Sequence, residues 1–176
     1  TCQLSEAEQS ACADWFLLTQ KKVIYAANIG EADLGQPESS LPLVRRVREI
    51  AEAEGSQVLV ICAKVEEEIS QMEPDEKQLF LEEMGIGQSG LDRLVQLCYA
   101  LLGQISYLTI GADEVRAWTI TQGTRAPQAA GKIHTDFEKG FIRAEIVSYD
   151  DLAANGSMAA CREKGLVRSE GKDYVM

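Results

Sequence analysis

Two short apolar runs rich in β-branched residues constrain the fold more than any other feature of this sequence. They occupy residues 23–27 and 58–63, and between them Leu43, Val47 and Ile50 recur at helical spacing until Gly55. Runs of this length and composition are typical of strands covered on both faces. The order strand, helix, strand is that of a βαβ unit, whose two strands pair in parallel. The sequence therefore predicts an α/β domain with a parallel sheet.

The remaining segments predict more helices beside this sheet and a second module after it. Ser5 and Glu8 have the spacing of a capping box, and Pro74 is suited to the first turn of a helix. Helices are predicted over residues 5–18, 64–84 with a second start at Pro74, and 91–102. After residue 105 we predict strands over 105–110, 115–120 and 141–148, a polar turn-rich stretch over 121–140, a helix over 149–164 and a strand from 172. This second part is typical of a small α+β module.

The charge of the chain excludes some functions and is distributed unevenly. The 176 residues carry a net charge of −11, with 8 basic and 18 acidic side chains in residues 1–101 but 9 and 10 in residues 102–176. A surface this acidic repels phosphate, so the chain does not coat nucleic acid by bulk electrostatics, although its second part can meet an anionic partner. No apolar run is long enough for a membrane span, and the first residues lack a signal-peptide pattern. Because the chain begins with Thr1, we expect a fragment or a processed product.

Most chemical motifs in the sequence are weak. The five cysteines are odd in number and show no Cys-x-x-Cys spacing, so we predict reduced thiols in the cytoplasm and no metal site. Residues 85–90 match G-x-G-x-x-G, but a predicted helix precedes them, which favours a helix–helix turn over a dinucleotide loop. His134 is the only histidine, and we expect Thr135 or Asp136 to cap a local turn there rather than a catalytic set. Acidic runs such as 66–68 are typical of solvated helix faces. No catalytic residue is predicted.

The informative pair of segments follows the two predicted strands. Asn28, Ile29 and Glu31 come after the first strand, and Cys62-Ala63-Lys64 comes after the second. Ligands of open parallel sheets bind at the carboxyl ends of the strands. An Asn amide there can bond a base edge on two sides, a carboxylate can accept from ring or exocyclic N–H groups, and a Lys stem can cover the flat face of a base. An Asx turn followed by an ordinary helix start is the alternative.

This pair resembles the base-recognition motifs N-K-x-D and S-A-K of the P-loop GTPases, in the N-x-x-E and [SC]-A-K variant of the YchF or Obg-like ATPase family. The resemblance is strongest over residues 115–120, 126–131, 133–138, 140–145 and 148–152, which resemble the TGS domain of that family, a β-grasp module. It implies an α/β remainder of a P-loop G domain followed by an α+β module. The implied domains are residues 1–19 as the end of a helical arm, 20–102 as the C-terminal part of the G domain, and 103–176 as a TGS domain without its final strand.

The resemblance also implies a function and a set of site residues. The family hydrolyses ATP in preference to GTP, and base binding is carried over to Asn28, Ile29, Glu31, Cys62, Ala63 and Lys64. Glu31 is one methylene longer than the Asp that grips guanine, Ile29 replaces a stacking Lys, and Cys62 replaces a Ser that supports the loop. Because the sequence lacks G-x-x-x-x-G-K-[ST], phosphate binding, Mg²⁺ and catalysis would come only from an N-terminal part that is missing.

A ribosomal partner is implied for the second module. Candidate contacts with RNA or another partner are Arg116, Arg125, Lys132, Lys139 and Arg143, and Trp118 could stack on a base or lie in the core. Two alternatives to a nucleotide hydrolase remain open. The chain could be a non-catalytic module that binds RNA, ribosomes or a protein, or a structural fragment without a ligand.

Overall fold

The computed structural model describes residues 4–111 and 113–176, which divide after Leu101 into two compact units. The first unit contains α1 (Glu6–Ala11), β1 (Ile24–Asn28), α2 (Pro42–Glu54), β2 (Gln57–Ile61), α3 (Ala63–Ser70), α4 (Pro74–Glu83) and most of α5 (Gly90–Leu102). The second contains β3 (Gln104–Ile110), β4 (Val115–Thr121), α6 (Ala126–Ile133), α7 (Thr135–Lys139), β5 (Ala144–Ile146), α8 (Tyr149–Asn155), α9 (Met158–Glu163) and β6 (Arg168–Glu170). None of the helices in these ranges is long and apolar enough to cross a membrane.

The first unit is built on the predicted βαβ arrangement. β1 and β2 pair in parallel, with Ile24 opposite Gln57 and Asn28 opposite Ile61. The connecting helix α2 begins with Pro42, whose missing N–H costs nothing at that position, and ends at Gly55 in the left-handed region with φ 68°. Val44 and Ala51 of this helix and Leu59 of β2 are buried, and α2 packs against both strands. The parallel pairing fixes both strand ends at one edge of the sheet.

The segment before β1 differs from the prediction. The capping box forms, with the Ser5 and Glu8 side chains bonded to each other's backbone N–H groups. However, the helix ends at Ala11 rather than continuing to residue 18, and Phe16 adopts φ 51° between single turns of 3₁₀-helix. No residue from 4 to 20 is buried within the first unit. A short helix without a packed face is marginal in water, which accounts for the early end.

In the second unit, residues 102–111 and 113–176 form two antiparallel strand pairs and four short helices. β3 pairs with β4, with Ile105 opposite Ile120, and β5 pairs with β6. Several boundaries correct the prediction. The stretch 121–140 holds α6 and α7, the strand predicted over 141–148 is only three residues long, and the helix over 149–164 divides at Gly156, where φ is 73°. Residues 172–176 contribute an isolated bridge from Val175 to Arg125 rather than a strand, and β6 was not predicted.

The helices α6 and α7 lie in the polar stretch 121–140, for which the sequence predicted turns. Pro127 stands in the first turn of α6, and the alanines around it favour helix. Gly131 lies inside α6, where a Cβ would collide with the side chain of Glu138 on α7. This glycine therefore permits the close approach of two helices and does not end one.

Candidate functional site

The structure brings the two predicted strand-end segments together at one edge of the parallel pair. Asn28 is the last residue of β1 and lies opposite Ile61, the last residue of β2. The Ile29 N–H donates to the Ile61 carbonyl at 2.8 Å, so the contact continues one residue beyond the strand. Glu31 begins a single 3₁₀ turn, and α3 begins directly after β2 at Ala63. The backbone therefore presents both segments side by side.

The Asn28 amide is oriented by the start of α3. Its Oδ1 accepts a hydrogen bond from the Ala63 N–H at 2.9 Å. The first amides of a helix have no partner within the helix, so this contact satisfies one of them. This hydrogen bond fixes the orientation of Oδ1, and Nδ2 takes no part in it. Within residues 4–111 and 113–176, Nδ2 donates to no protein acceptor, and Asn28 is exposed. The arrangement offers two N–H donors and one lone pair on Oδ1 to a ligand.

Glu31 and Lys64 form an ion pair that connects the two segments. Lys64 Nζ lies 2.8 Å from Glu31 Oε2 and 4.0 Å from Glu68 Oε1. The hydrogen bond to Glu31, followed by the charges of Glu31 and Glu68, raises the pKa of Lys64 above its ordinary value. The side chains remain 54% and 67% exposed for Glu31 and Lys64, so solvent screens the pair and a ligand can reach both groups.

The side chains of Ile29 and Cys62 lie on the opposite side of this edge, toward the core. Cys62 is buried in a cluster with Val65 and Ile69, and Ile29 is partly buried against the same cluster. The Cys62 thiol makes no capping bond to α3. These two side chains are therefore turned away from solvent, whereas Asn28, Glu31 and Lys64 are exposed.

The G-x-G-x-x-G stretch forms the connection between α4 and α5. The Glu66 carboxylate on α3 accepts the Gly90 N–H at 2.6 Å and the Leu91 N–H at 3.3 Å, so it caps α5 from a neighbouring helix. Ser89 is buried and adds a second cap through Asp92. The helix–helix turn is confirmed, but the expectation that Glu66 lies on a solvated face is wrong. A side chain that caps a helix 24 residues away leaves no local pattern in the sequence.

The basic side chains that were predicted to contact RNA or another partner are all exposed, and they lie on separate elements of the second unit. On β4 the Arg116 guanidinium lies 4.4 Å from the centre of the Trp118 ring, and Trp118 Nε1 donates to Thr109 Oγ1 at 2.9 Å. Arg125, before α6, pairs with Asp173 at 3.2 Å. The other three, on α6, at the end of α7 and before β5, are Lys132, Lys139 and Arg143. Arg143 lines a groove of about 720 Å³ beside α7.

Comparison with known proteins places the chain in a family. A family model named YchF-GTPase_C and described as "Protein of unknown function (DUF933)" matches residues 104–176. The ribosome-binding ATPase YchF of Bacillus subtilis (strain 168) is 49% identical over 174 residues, which are 99% of this chain and 47% of that protein. Obg-like ATPase 1 of Gallus gallus is 41% identical over 160 residues, covering 90% of this chain and 40% of that protein. The structure of the Schizosaccharomyces pombe YchF GTPase superposes with a TM-score of 0.80 at 38% identity, covering 100% of this chain and 46% of that one. The chain belongs to the YchF/Obg-like family.

The YchF/Obg-like chain spans about half the length of the curated relatives it matches. It corresponds to the C-terminal part of the family, and its mixed α/β structure agrees with that of the yeast YchF GTPase. The relatives of Bacillus subtilis and Pasteurella multocida are named ribosome-binding ATPases. The resemblance on which the sequence was assigned to YchF or Obg-like ATPases is confirmed.

The sequence of this YchF/Obg-like chain also made predictions about its histidine and about metal binding. At His134 the imidazole itself caps α7, because Nδ1 accepts the Asp136 N–H at 3.2 Å. The prediction of a cap from Thr135 or Asp136 is therefore wrong, although a local cap does form. Within residues 4–111 and 113–176, no group of three or more His, Cys, Asp or Glu side chains could hold a metal ion.

Proposed function

We propose that this chain supplies base recognition and a partner-binding module to a cytoplasmic, ribosome-associated nucleoside triphosphatase of the YchF type, with ATP preferred over GTP. The observation that carries the nucleotide part is the Asn28 amide, whose Oδ1 is held by the Ala63 N–H at 2.9 Å at the carboxyl edge of the parallel strands. An amide anchored in this way has its donor and acceptor sides already assigned. It can therefore discriminate between base edges without first being ordered by the ligand.

Adenine matches this amide better than guanine does. Adenine presents N7 as an acceptor and its 6-amino group as a donor, which an Asn amide can meet with Nδ2 and with the second lone pair of Oδ1. Guanine presents two acceptors there, N7 and O6, so O6 would face Oδ1 without a hydrogen. Glu31, Lys64 and the backbone of Ile29, Cys62 and Ala63 border the same position. This complementarity supports a preference for ATP.

We propose that the triphosphate, Mg²⁺ and the hydrolytic groups are bound by the part of the relatives' length that this chain does not match. The sequence contains no phosphate-binding G-x-x-x-x-G-K-[ST] motif. Phosphate contacts with backbone amides supply much of the affinity at such sites. Base contacts alone are therefore expected to give weak binding, and the appropriate probe for this chain is a nucleoside.

The test is a titration of the 176-residue chain with adenosine and with guanosine, followed by the amide NMR signals of β1, β2 and the start of α3. We expect adenosine to shift the signals near residues 28–31 and 62–64, and guanosine to do so more weakly. In the Asn28→Asp variant the second oxygen replaces the Nδ2 donor while an acceptor for Ala63 remains. Adenosine binding should then fall by about tenfold or more, since one hydrogen bond is replaced by a repulsive contact.

Gln57→Glu provides the matched control for this titration. It makes the same change of charge at the exposed first residue of β2, at the opposite edge of the sheet. Its adenosine affinity should equal that of the unmodified chain. Equal affinity for both nucleosides, or an Asn28→Asp variant that binds adenosine normally, would contradict base recognition by this amide.

A second function, binding of ribosomal RNA by the second unit, is favoured by the Arg116–Trp118 stack. The guanidinium lies 4.4 Å from the ring centre on an exposed strand, and this pair offers both a cation for phosphate and a flat surface for a base. The lower acidity of residues 102–176 also favours an anionic partner. Arg125, Lys132, Lys139 and Arg143 are the other proposed contacts. Protein binding without RNA is the alternative for this unit.

Salt dependence distinguishes these possibilities. If the chain contacts ribosomal RNA, its binding to purified ribosomes should weaken as the salt concentration rises, because each phosphate contact releases counterions. Replacing Arg116 and Arg125 by Ala should weaken binding and flatten that dependence, whereas Arg46→Ala, an exposed arginine on α2, should do neither. Salt-independent binding would favour a protein contact instead. A chain that binds neither nucleoside nor ribosomes would have only a structural role.

A further inference from the structure

We infer that the groove beside α7 receives an unstacked base of single-stranded RNA, while cations at its border bind the neighbouring phosphates. The inference rests on the RNA binding proposed for the second unit and names a place, apart from Trp118, at which that unit meets a base. The groove has a volume of about 720 Å³, which is within the range of small-ligand sites. It is lined by Ala130 of α6, by α7 and by the loop that leads to β5.

The groove contains large apolar side chains that remain exposed. Phe137 on α7 is 55% exposed and Ile142 in the following loop is 79% exposed, and both line the groove together with the half-buried Phe141. Large apolar side chains that share one concavity form a patch, unlike single apolar residues scattered over a surface, and such patches mark binding sites. An aromatic ring in this position offers a flat surface on which a base can stack.

The charges around the groove favour a polyanion. Lys132, Lys139 and Arg143 are exposed, and within residues 4–111 and 113–176 none of these side chains makes an ion pair or a hydrogen bond. By contrast, Arg162 of the same unit pairs with Glu145 at 2.5 Å. In a chain with a net charge of −11, three unpaired cations along one segment are a local exception. A phosphodiester backbone would neutralise them, which an apolar protein segment would not.

The two acidic side chains of α7 are compatible with this ligand. Glu138 is turned toward α6, where its Oε2 is the atom nearest to a Cβ built on Gly131. Asp136 lines the groove, and its Oδ2 lies 3.5 Å from His134 Nδ1. A carboxylate accepts hydrogen bonds and repels phosphate, so Asp136 suits the amino group of a base, and the phosphates would lie toward Arg143.

A groove of this kind selects a single strand over a duplex. The bases of an RNA duplex are stacked and paired, and side chains cannot read its deep, narrow major groove. A base enters a groove of the protein only after it has left its stack, as it does in loops, bulges and ends of RNA. The inferred ligand is therefore an unpaired RNA segment.

The experiment compares a short RNA single strand of mixed sequence with the duplex that it forms with its complement. Each is labelled with a fluorophore and titrated with the 176-residue chain, and anisotropy gives the affinity. We expect the single strand to bind more tightly, although the duplex carries more phosphates. Phe137→Ala should weaken single-strand binding by about tenfold, because a base loses its stacking partner. Arg143→Gln should reduce the slope of log affinity against log salt by about 0.7, the contribution of one phosphate contact on a single strand.

A third variant and two controls separate the groove from general effects of folding and charge. The Phe137 ring lies 6.1 Å from that of His134, so its removal can disturb α7. Ile142→Ala, at a side chain that is 79% exposed, leaves the fold intact and should still weaken binding by about threefold. Tyr149→Ala removes an aromatic side chain that is 71% exposed on α8, and Arg45→Gln removes an exposed arginine on α2. Both controls should leave the affinity and its salt dependence unchanged.

The outcomes keep this inference separate from the proposed function. If the single strand binds and Arg116→Ala weakens it but the three groove variants do not, the groove site is refuted and RNA binding by the second unit stands. Duplex binding as tight as single-strand binding would refute the groove site as well. Binding that depends on Phe137 but on neither salt nor Arg143 would indicate an apolar protein ligand and would also overturn the inference. If the chain binds no RNA, both the proposed RNA binding and this inference fail.

Discussion

Replacing Gly90 by alanine adds a methyl group where three parts of the first unit already meet. A Cβ built on Gly90 would lie 2.7 Å from Glu66 Oε1, 2.8 Å from Ile61 Cγ2 and 3.0 Å from Glu66 Cδ. Ordinary contacts of this kind are several tenths of an ångström longer. Because Ile61 ends β2 and Glu66 caps α5, the methyl group must displace either the strand end or the cap. Gly90 itself donates to Glu66 Oε1 at 2.6 Å, so a shift of the carboxylate disturbs the bond it makes there.

The free-energy change follows from three contributions. Overpacking of a closely packed position costs about 1–3 kcal/mol. A weakened hydrogen bond to a charged acceptor adds part of its value of about 1.5–3 kcal/mol. Alanine also restricts the unfolded chain, which stabilises the folded state by about 0.4–1 kcal/mol where its backbone conformation is allowed. A partial loss of the hydrogen bond and the gain from the restricted unfolded chain nearly cancel, so the net loss in the free energy of unfolding of the first unit is about the overpacking cost, about 1–3 kcal/mol.

Amide hydrogen exchange measures this loss in each unit separately, which a single denaturation curve for a chain of two units does not. Protection of the β1 and β2 amides should fall by the factor that corresponds to about 1–3 kcal/mol, and protection of β3 and β4 should stay constant. Gly87→Ala is the matched control, because a Cβ there meets no atom within 4 Å. It should be neutral or slightly stabilising. If Gly90→Ala were as harmless as Gly87→Ala, the last glycine of the G-x-G-x-x-G stretch would not be required by packing.

Three further predictions concern other parts of the chain. Tyr107→Phe removes a hydrogen bond of 2.7 Å to the Ala129 carbonyl and should lower the stability of the second unit by about 0.5–1.5 kcal/mol, seen as faster exchange in β3 and β4; unchanged exchange would contradict this. The hydrogen bonds from Arg48 hold the pKa of the Glu38 carboxyl below its ordinary value of 4.5, so this pair stabilises the first unit above that pH and the benefit is lost as pH falls through the lowered pKa. Exchange in β1 and β2 between about pH 6 and about pH 3.5 should show that loss, and Arg48→Met should reduce it; an identical pH dependence in the variant would refute the assignment. The pure chain should release no phosphate from ATP in the presence of Mg²⁺, and measurable turnover that follows the protein through purification would overturn the division of labour proposed for the site.

The parts of the fold that sequence predicts well are those set by local pattern. The strands at residues 24–28 and 57–61 fall on the continuous apolar runs 23–27 and 58–63, and α2 has one apolar face with Pro42 and Gly55 at its limits. These signals lie within a few residues of the structure they specify. The parallel pairing followed from the connecting helix, and the meeting of Asn28 with Ala63 followed from the parallel pairing. Reasoning of this kind predicts that the two segments of the proposed site meet, because they lie at the ends of regular elements.

The parts that sequence misses depend on partners distant in the chain. Glu66 looked like one of several solvated acids, but it bonds to Gly90. The stretch 121–140 was predicted to be turn-rich, and the contact of Gly131 with Glu138 that joins its two helices is not visible locally. The helix predicted to residue 18 failed for the opposite reason. Its capping box formed as expected, but a cap stabilises only the start of a helix, and no burial sustains the remainder. Local signals specify where elements begin more reliably than how far packing extends them.

Asn28, and not Cys62, bonds to the first amide of α3, which explains how this edge can differ from the usual S-A-K pattern and still be ordered. A serine before α3 could cap the helix with its hydroxyl group, but the Cys62 thiol is buried in the core and makes no such bond. The first amide of α3, that of Ala63, instead donates to Asn28 Oδ1. The residue that we propose for base recognition therefore also holds the start of the helix that carries Lys64. Removing the whole side chain would disturb α3 as well as the base contact, because both depend on one amide. Replacing only its Nδ2 donor, as Asn28→Asp does, is the change that separates recognition from support.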